Sequence, residues 1–465
     1  MAGKRKRDAA DSVPAASFQV IAGSYDRVLH GLRVAVDSSQ VTCTFTPLFL
    51  FAAHAASIRC LAVSPDDAAS RRRVLATASP DSKINLYHLH SRTHLGSLSP
   101  PSASPTTALV FPSKATLLAA DDAGYIHIFR TRDWSLLTSL RCPTPKPKPG
   151  CSPSLDSGVN ALAVHPSGKL ALSVSKNERA VRMWNLMTGR KAGVLAFPRT
   201  IPRLITGVSG EGIKVVWRAG KDGGYAVMFE RGVVLFGADS EVKSTIIASP
   251  LSKVHQLKFL QLELEQDAGV EELCFIATED GRVIVYPSPQ SDSDAEPDSS
   301  STSTPKDDTK AIPIATVLPP TPDKSRIKDF DILPHTSGDK GKYFLTTANS
   351  EGIIRVYALD FTKAALNGEA LGKRQKIDKD ADKDGVAPIA TDGFAHMLGE
   401  YNTSRRITCL TTAEIDESAA SSFREPDEPE NDTSDSNGDS DSSSEDNDSE
   451  KEGEQEEEEE WGGIE

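Results

Sequence analysis

Runs in which apolar and polar residues alternate at period two recur along this chain. They appear as LATASPDSKINLY (75–87), LLAADDAGYIHIF (117–129), LALSVSKNERAVRMW (170–184), YAVMFERGVVLF (225–236), LCFIATEDGRVIVY (273–286) and YFLTTANSEGIIRVY (343–357). Such alternation predicts strands rather than helices. Each run is split by a tight polar turn. DAG (122–124), EDG (279–281) and SEG (350–352) put Gly or Asp where a hairpin needs positive φ. A further strand-like run precedes most pairs, as in SIRCLAVSP (57–65), TTALVFPS (106–113), GVNALAVHPSG (158–168), KVHQLKFL (253–260) and RIKDFDILP (326–334). A fourth follows, as in HLGSL (94–98), WSLLTSL (134–140), KAGVLAF (191–197) and IPIATVL (312–318). Four strands per unit define one repeated sheet.

The units close on Tyr87, Phe129, Trp184, Phe236, Tyr286 and Tyr357, spaced 42, 55, 52, 50 and 71 residues apart. The longest gap holds the polar stretch 287–310, and the gap of 55 holds PTPKPKPGCSPS (143–154). Without these inserts the period approaches that of a four-stranded propeller blade, about 40–45 residues. Six blades are visible. The ends supply a seventh: 18–36 and 41–51 read as three strands, and RRITCLTTAEI (405–415) as one. A blade shared between the chain ends closes the ring and removes exposed sheet edges.

Composition divides the chain in two. Residues 425–465 hold 20 acids and one base, whereas the whole 465-residue chain carries a net charge of −14. The body is therefore weakly basic, and the tail has too little apolar surface to offset its ordering entropy. No apolar run reaches the ~18 residues of a bilayer span, and no apolar stretch follows the basic N-terminus as in a secretory signal. Cys43, Cys60, Cys142, Cys151, Cys274 and Cys409 form no C-x-x-C pair and read as reduced thiols.

These repeats resemble degenerate WD-repeats, although no Trp-Asp dipeptide occurs. The resemblance implies an all-β fold: a single seven-bladed WD-repeat β-propeller over 17–415. It is closed by N- and C-terminal strands, with disordered inserts near 142–154, 287–311 and 361–393. A disordered basic segment (1–16) precedes it and an acidic disordered tail (416–465) follows. The first complete unit keeps most of the WD-repeat pattern, with His54, Thr77 or Ser79, Asp81 and Tyr87 in the places of the buried polar network. The turn aspartate recurs as Asp122 and Asp280, with Asn177 a further candidate. HPSGKLALSVSKNERAVRMWNLMTGRKA (165–192), FQVIAGSYDRVLHGLRV (18–34) and EYNTSRRITCL (400–410) resemble one subfamily more closely. It is the maintenance-of-killer / PAK-interacting-protein family of WD-repeat assembly factors for the large ribosomal subunit. The acidic tail departs from that family, whose animal members tend to end in Lys-rich extensions.

No nucleotide-binding, hydrolase or metalloprotease motif is present. Gly207, Gly210 and Gly212 precede KVVW, which reads as a strand, so they are turn formers rather than a phosphate loop. Asp81, Asp122 and Asp280 suit general-base chemistry, but the plainer role is to accept backbone N–H bonds in turns. The aromatics Tyr87, Phe129, Trp184, Tyr286 and Tyr357 read as core between blades. His165 reads as a turn or packing residue. Lys4, Arg5, Lys6 and Arg7 form a nuclear-import candidate. Lys373, Arg374 and Lys376 are candidate contacts to rRNA or protein. Ser442, Ser443 and Ser449 each have an acid three residues on, a pattern suited to acid-directed kinases.

The expectation is a non-enzymatic scaffold of the nucleus and nucleolus, with no cofactor, metal, membrane or small-molecule substrate. The resemblance implies work on the large-subunit (60S) precursor and rRNA maturation. The partners expected are assembly factors and basic ribosomal-like proteins of that particle, with rRNA a further candidate. The second expectation is an adaptor that restrains a p21-activated kinase.

Overall fold

The computed structural model describes residues 16–37, 41–65, 73–144, 157–218, 223–262, 272–288, 310–320, 325–335, 341–361 and 394–415. Its strands form seven antiparallel sheets of four strands each. In six sheets, four consecutive strands pair in chain order. Their first strands are Cys60–Val63, Thr106–Ser113, Val159–Val164, Lys214–Trp217, Val254–Gln261 and Ile327–Pro334, which begin blades 1 to 6. In the seventh, or closing, blade the order is Ile407–Glu414, Ala16–Ser24, Val28–Val36, Cys43–Ala52. Phe18 lies opposite Glu414 and Gly23 opposite Cys409, so the chain ends share one sheet.

Each first strand touches the first strands of both neighbouring blades, and these contacts run full circle. The first strands therefore form the inner wall of a closed ring, and the fold is a seven-bladed β-propeller. Closure matters because an open sheet would leave a row of unpaired N–H and C=O groups at the break.

The buried apolar side chains fall into seven clusters, each spanning one seam between adjacent blades. The closing aromatics of the repeats supply much of this. Phe129, Trp184, Phe236, Tyr286 and Tyr357 are buried in the seam toward the preceding blade. Tyr87 packs half-buried against the seam between the closing blade and blade 1. Burying an aromatic ring of this size is worth about 2–3 kcal/mol, so the seams hold the ring.

Three elements depart from the sequence reading, the first being the outer strand of blade 4, Val242–Ile247. A one-turn helix, Arg203–Thr206, lies between blades 3 and 4 and buries Ile205 and Thr206. The outer strand of blade 6, Ala395–Asn402, follows the long polar insert, and its sequence AHMLGEYN gave no clear alternation.

Candidate docking rim

All seven first strands enter the ring from one face, which also carries the hairpin turns between second and third strands. Antiparallel pairing forces this, and backbone bonds fix it. Asp122 N donates to Pro105 O (2.9 Å), Lys176 N to Gly158 O (2.8 Å), Glu279 N to Lys253 O (2.9 Å), Ser350 N to Arg326 O (3.0 Å) and Tyr25 N to Arg406 O (2.8 Å). We call this face the leading rim. Its polar side chains form the candidate site.

Blade 1 carries the fullest network. His54 Nδ1 lies 2.9 Å from Asp81 Oδ2, and its Nε2 lies 2.8 Å from Thr77 Oγ1. Asp81 also accepts from Ala55 N (3.1 Å) and Lys83 N (3.1 Å). One histidine thus ties the link from the closing blade to the second strand of blade 1 and to the turn that follows it. Trp184 in blade 3 keeps one link of such a network, donating from Nε1 to Ser173 Oγ (2.8 Å).

Blade 2 differs from the sequence reading. Ile126 pairs with Ala120, so the turn begins at Asp121 rather than Asp122. Asp121 Oδ1 accepts from Tyr125 N (2.7 Å), and its Oδ2 lies 3.2 Å from His127 Nε2. Burial pushes the Asp121 carboxyl up, but hydrogen bonds from His127, Ser102 and Tyr125 N hold it below the usual carboxylate range. Asp122 instead joins three blades. Arg59 Nη1 of blade 1 donates to it at 2.9 Å, and Lys176 Nζ of blade 3 lies 2.9 Å from its other oxygen. In blade 5, Asp280 accepts from Arg282 Nε (2.7 Å) and from the Thr278 hydroxyl. That arginine reaches on to Ser249 O (2.7 Å) and Pro250 O (2.9 Å) in the link from blade 4.

Register reveals a buried polar position that reading single repeats missed. His30 lies opposite Ala22, Asn85 opposite Thr77, His127 opposite Ala119, Arg182 opposite Ser173 and Arg355 opposite Thr347. The same third-strand site is polar in five blades, and all five residues are buried. Asn85 Nδ2 donates to Ala53 O (2.6 Å), Arg182 Nε to Glu178 (2.8 Å) and Arg355 Nε to Glu400 (3.2 Å). For His30, burial and then the charge of Arg405 lower the pKa to about 4, so this imidazole is neutral at pH 7.

Every seam between blades is also bridged by a polar side chain of an inner strand or its first flank. Thr408 Oγ1 donates to Ile58 O (2.5 Å), Thr107 Oγ1 to Val159 O (2.6 Å) and Asn160 Nδ2 to Gly212 O (2.9 Å). Arg59 and Asp122 bridge blades 1 and 2. Lys214 Nζ donates to Gln256, and Gln256 Nε2 donates to Asp329. Lys258 Nζ lies 2.7 Å from Asp331, and the two aspartates accept from Leu410 N and Thr412 N at 2.9 Å each. Burial lowers the Lys214 pKa to about 8. For Asp331, burial acts upward, but Lys258 and Thr412 N outweigh it and hold the carboxyl low. The signal for this cluster lies in register: where blades 4 to 6 have Lys214, Gln256 and Asp329, the other inner strands have Cys60, Ala108, Ala161 and Cys409.

Other residues singled out in the sequence fall as follows. His165 Nδ1 lies 2.8 Å from Ser167 Oγ, and its ring stands edge-on to Trp217 at 4.8 Å. Gly207 and Gly210 take positive φ (69° and 68°) after the short helix. Cys43, Cys60, Cys142, Cys274 and Cys409 are free thiols, and burial raises all five pKa values. Lys4, Arg5, Lys6, Arg7, Cys151, Lys373, Arg374, Lys376, Ser442, Ser443 and Ser449 lie outside the described residues. Among the described residues, no helix is long and apolar enough to cross a membrane.

Four-stranded blades, seam-bridging inner strands and the His54–Thr77–Asp81 network define a WD-repeat propeller scaffold. The profile of the WD domain, G-beta repeat, matches residues 45–88. The p21-activated protein kinase-interacting protein 1-like protein of Danio rerio is 30% identical over 255 residues, 55% of this chain and 60% of that protein. Protein MAK11 of Saccharomyces cerevisiae is 26% identical over 362 residues, 73% of this chain and 77% of MAK11. Shk1 kinase-binding protein 15 of Schizosaccharomyces pombe is 26% identical over 269 residues, 57% of this chain and 68% of that protein. The match covers less than two thirds of the Danio rerio relative. Among solved structures, one described as RRP9 WD40 repeats is 15% identical with a TM-score of 0.46, covering 65% of this chain and 77% of that one. The chain is a homologue of the PAK-interacting protein 1-like proteins, MAK11 and Shk1 kinase-binding protein 15, within the WD-repeat proteins.

Proposed function

We propose that this chain is a non-catalytic docking scaffold in nucleolar assembly of the large (60S) ribosomal subunit. One observation carries the scaffold reading: polar inner-wall side chains bridge all seven seams, making a stiff frame that presents turns and links around its leading rim. Rigid frames that present loops suit recognition. The ribosomal assignment follows from the resemblance of 165–192, 18–34 and 400–410 to the maintenance-of-killer family, and the MAK11 match over 73% of this chain supports it. Its partners in this reading are assembly factors and basic ribosomal-like proteins of the precursor, and its location is nuclear and nucleolar. The propeller occupies 17–415, with 1–16 and 416–465 as flanking segments, and residues 4–7 act in import.

Sucrose-gradient sedimentation of a nuclear extract, with and without RNase, tests this. The tagged chain is expected in the fractions of the large-subunit precursor. A free low-mass peak in growing cells would contradict the proposal.

Two relatives named for binding a kinase, one of them a p21-activated kinase, favour a second reading, in which this chain binds and restrains a p21-activated kinase. Capture of such a kinase by the purified propeller, with loss of its activity, is the expected result. Undiminished kinase activity at saturating propeller would sink it.

A further inference from the structure

The leading rim is uneven. Register places Arg59, Thr107, Asn160, Ile213, His255, Lys328 and Thr408 at one equivalent position, at the start of the seven inner strands. Four of these are satisfied within the ring. Thr408, Thr107 and Asn160 donate to a carbonyl of the next blade, and Arg59 donates to Asp122. The nearby Lys253 is held by Glu230 at 3.1 Å.

Over blade 6 and the closing blade this changes. Arg326 and Lys328 flank the start of one inner strand, and Arg405 and Arg406 immediately precede the next. None of the four has a carboxylate within ion-pair distance among the described residues. Arg326 and Arg406 lie close enough to Lys328 to oppose its charge, and Arg405 acts likewise on His30. Burial, then the charges of Arg326 and Arg406, hold the Lys328 ammonium below its ordinary value. His255 is lowered by burial and then by Lys328. The acids that act on these groups are Glu279, on Lys328 and His255, and Asp26, on His30, both on hairpin turns. Clustered cations that no carboxylate holds at ion-pair distance form a site for an external polyanion.

A second feature narrows the class of anion. Tyr25 is 58% exposed at the end of the arc. Its N–H donates to Arg406 O, and the Arg406 guanidinium lies 5.5 Å from its ring centroid. With the Arg406 guanidinium over one face, the ring is held in place, and its exposed remainder offers a stacking surface next to a phosphate contact. An acidic peptide has use for the charge but not for the ring; a single-stranded nucleic acid uses both.

We infer that the leading rim over blade 6 and the closing blade binds single-stranded RNA, with Arg326, Lys328, Arg405 and Arg406 on phosphates and Tyr25 under a base. The inference deepens the scaffold reading and rests on this rim being a docking face, whichever particle supplies the RNA.

Fluorescence anisotropy with the purified full chain and a labelled oligouridylate tests it. The triple variant R326A/K328A/R406A is expected to lose at least tenfold in affinity. The slope of log K against log salt should flatten by about 2, since each single-strand phosphate contact contributes about 0.7. Tyr25→Ala should lower affinity about fivefold or more, the scale of one stacked base. R190A/K191A, on the exposed outer strand of blade 3, should bind like the unchanged chain, and matched melting curves establish that all variants fold. Equal binding by the triple variant and the unchanged chain overturns the site. So does competition by polyglutamate with no effect of Tyr25→Ala, which would assign the arc to an acidic protein segment. If the unchanged chain fails to bind oligouridylate yet still co-sediments with the precursor, the RNA site falls and the scaffold reading stands.

Discussion

The leading rim over blades 1 to 3 and the rim over blade 6 and the closing blade treat charge in opposite ways. In the first, Arg59 and Lys176 meet on Asp122, Arg182 is held by Glu178, and Asn177 N donates to Glu211 at 2.6 Å. In the second, Arg326, Lys328, Arg405 and Arg406 have no carboxylate within ion-pair distance among the described residues, and Arg326 and Arg406 oppose the Lys328 charge. Both halves share one backbone frame. The difference teaches that most of the frame stands without rim cations: Arg59 bridges the seam between blades 1 and 2, whereas inner-wall hydroxyls, amides and the Lys214–Gln256–Asp329 relay bridge the other six. Rim charge is thus free to be internal cement on one side and a docking surface on the other.

The comparison presumes a closed ring, so opening it gives the largest effect. Deleting Ile407–Glu414 removes the inner strand of the closing blade and the donors at two seams, Leu410 N and Thr412 N toward blade 6 and Thr408 Oγ1 toward blade 1. Cooperative thermal unfolding followed by circular dichroism should be lost. A melt as sharp as that of the full chain would break the account.

On the stiff side, His54→Ala leaves Thr77 and Asp81 without their buried partner. It should cost about 2–4 kcal/mol in urea unfolding, the scale of a lost buried network. The inner wall offers a change of opposite sign. Lys214 has its folded pKa lowered from 10.5 to about 8, so below pH 8 it is charged in both states and its burial penalty is present in full. Unfolding takes up a proton between pH 8 and 10.5, so the penalty fades as pH rises through that window. Lys214→Met should therefore stabilise the protein at pH 7 by about 1–2 kcal/mol, less as pH approaches 10. An equal gain at both pH values would assign the effect to packing.

An effect of similar size sharpens the boundary between the halves at His30, which sits beside Arg405. Its pKa is about 4 folded against 6.5 ordinarily, so the unfolded chain binds the extra proton between those values. Stability should fall as pH drops from 6.5 to 4, by about 1–3 kcal/mol from this group. His30→Leu should flatten that slope; an unchanged slope would place the acid sensitivity elsewhere.

The blades were legible because period-two alternation and an aromatic at the end of each third strand survive where the Trp-Asp signature does not. Closure was legible because the terminal runs were short of a full blade by complementary amounts. Ala395–Asn402 was hidden by the weak alternation of AHMLGEYN and the insert before it. The Asp121–His127 pair was missed because a one-residue difference in where the turn begins moves the anchoring aspartate. The seam relay was missed for another reason: Lys214, Gln256 and Asp329 lie on three separate strands, and only register aligns them. Register also exposes the rim arc, since nothing in RIK or RRI alone says that those cations converge.

The most direct test compares two variants in one gradient experiment: R326A/K328A/R406A on the open half, and R59A/K176A on the cemented half. The account predicts that the first keeps the melting temperature of the unchanged chain but leaves the large-subunit precursor fractions. The second should melt earlier and remain in them. Precursor association retained by the first variant and lost by the second, at matched folding, would contradict the division of labour around the ring.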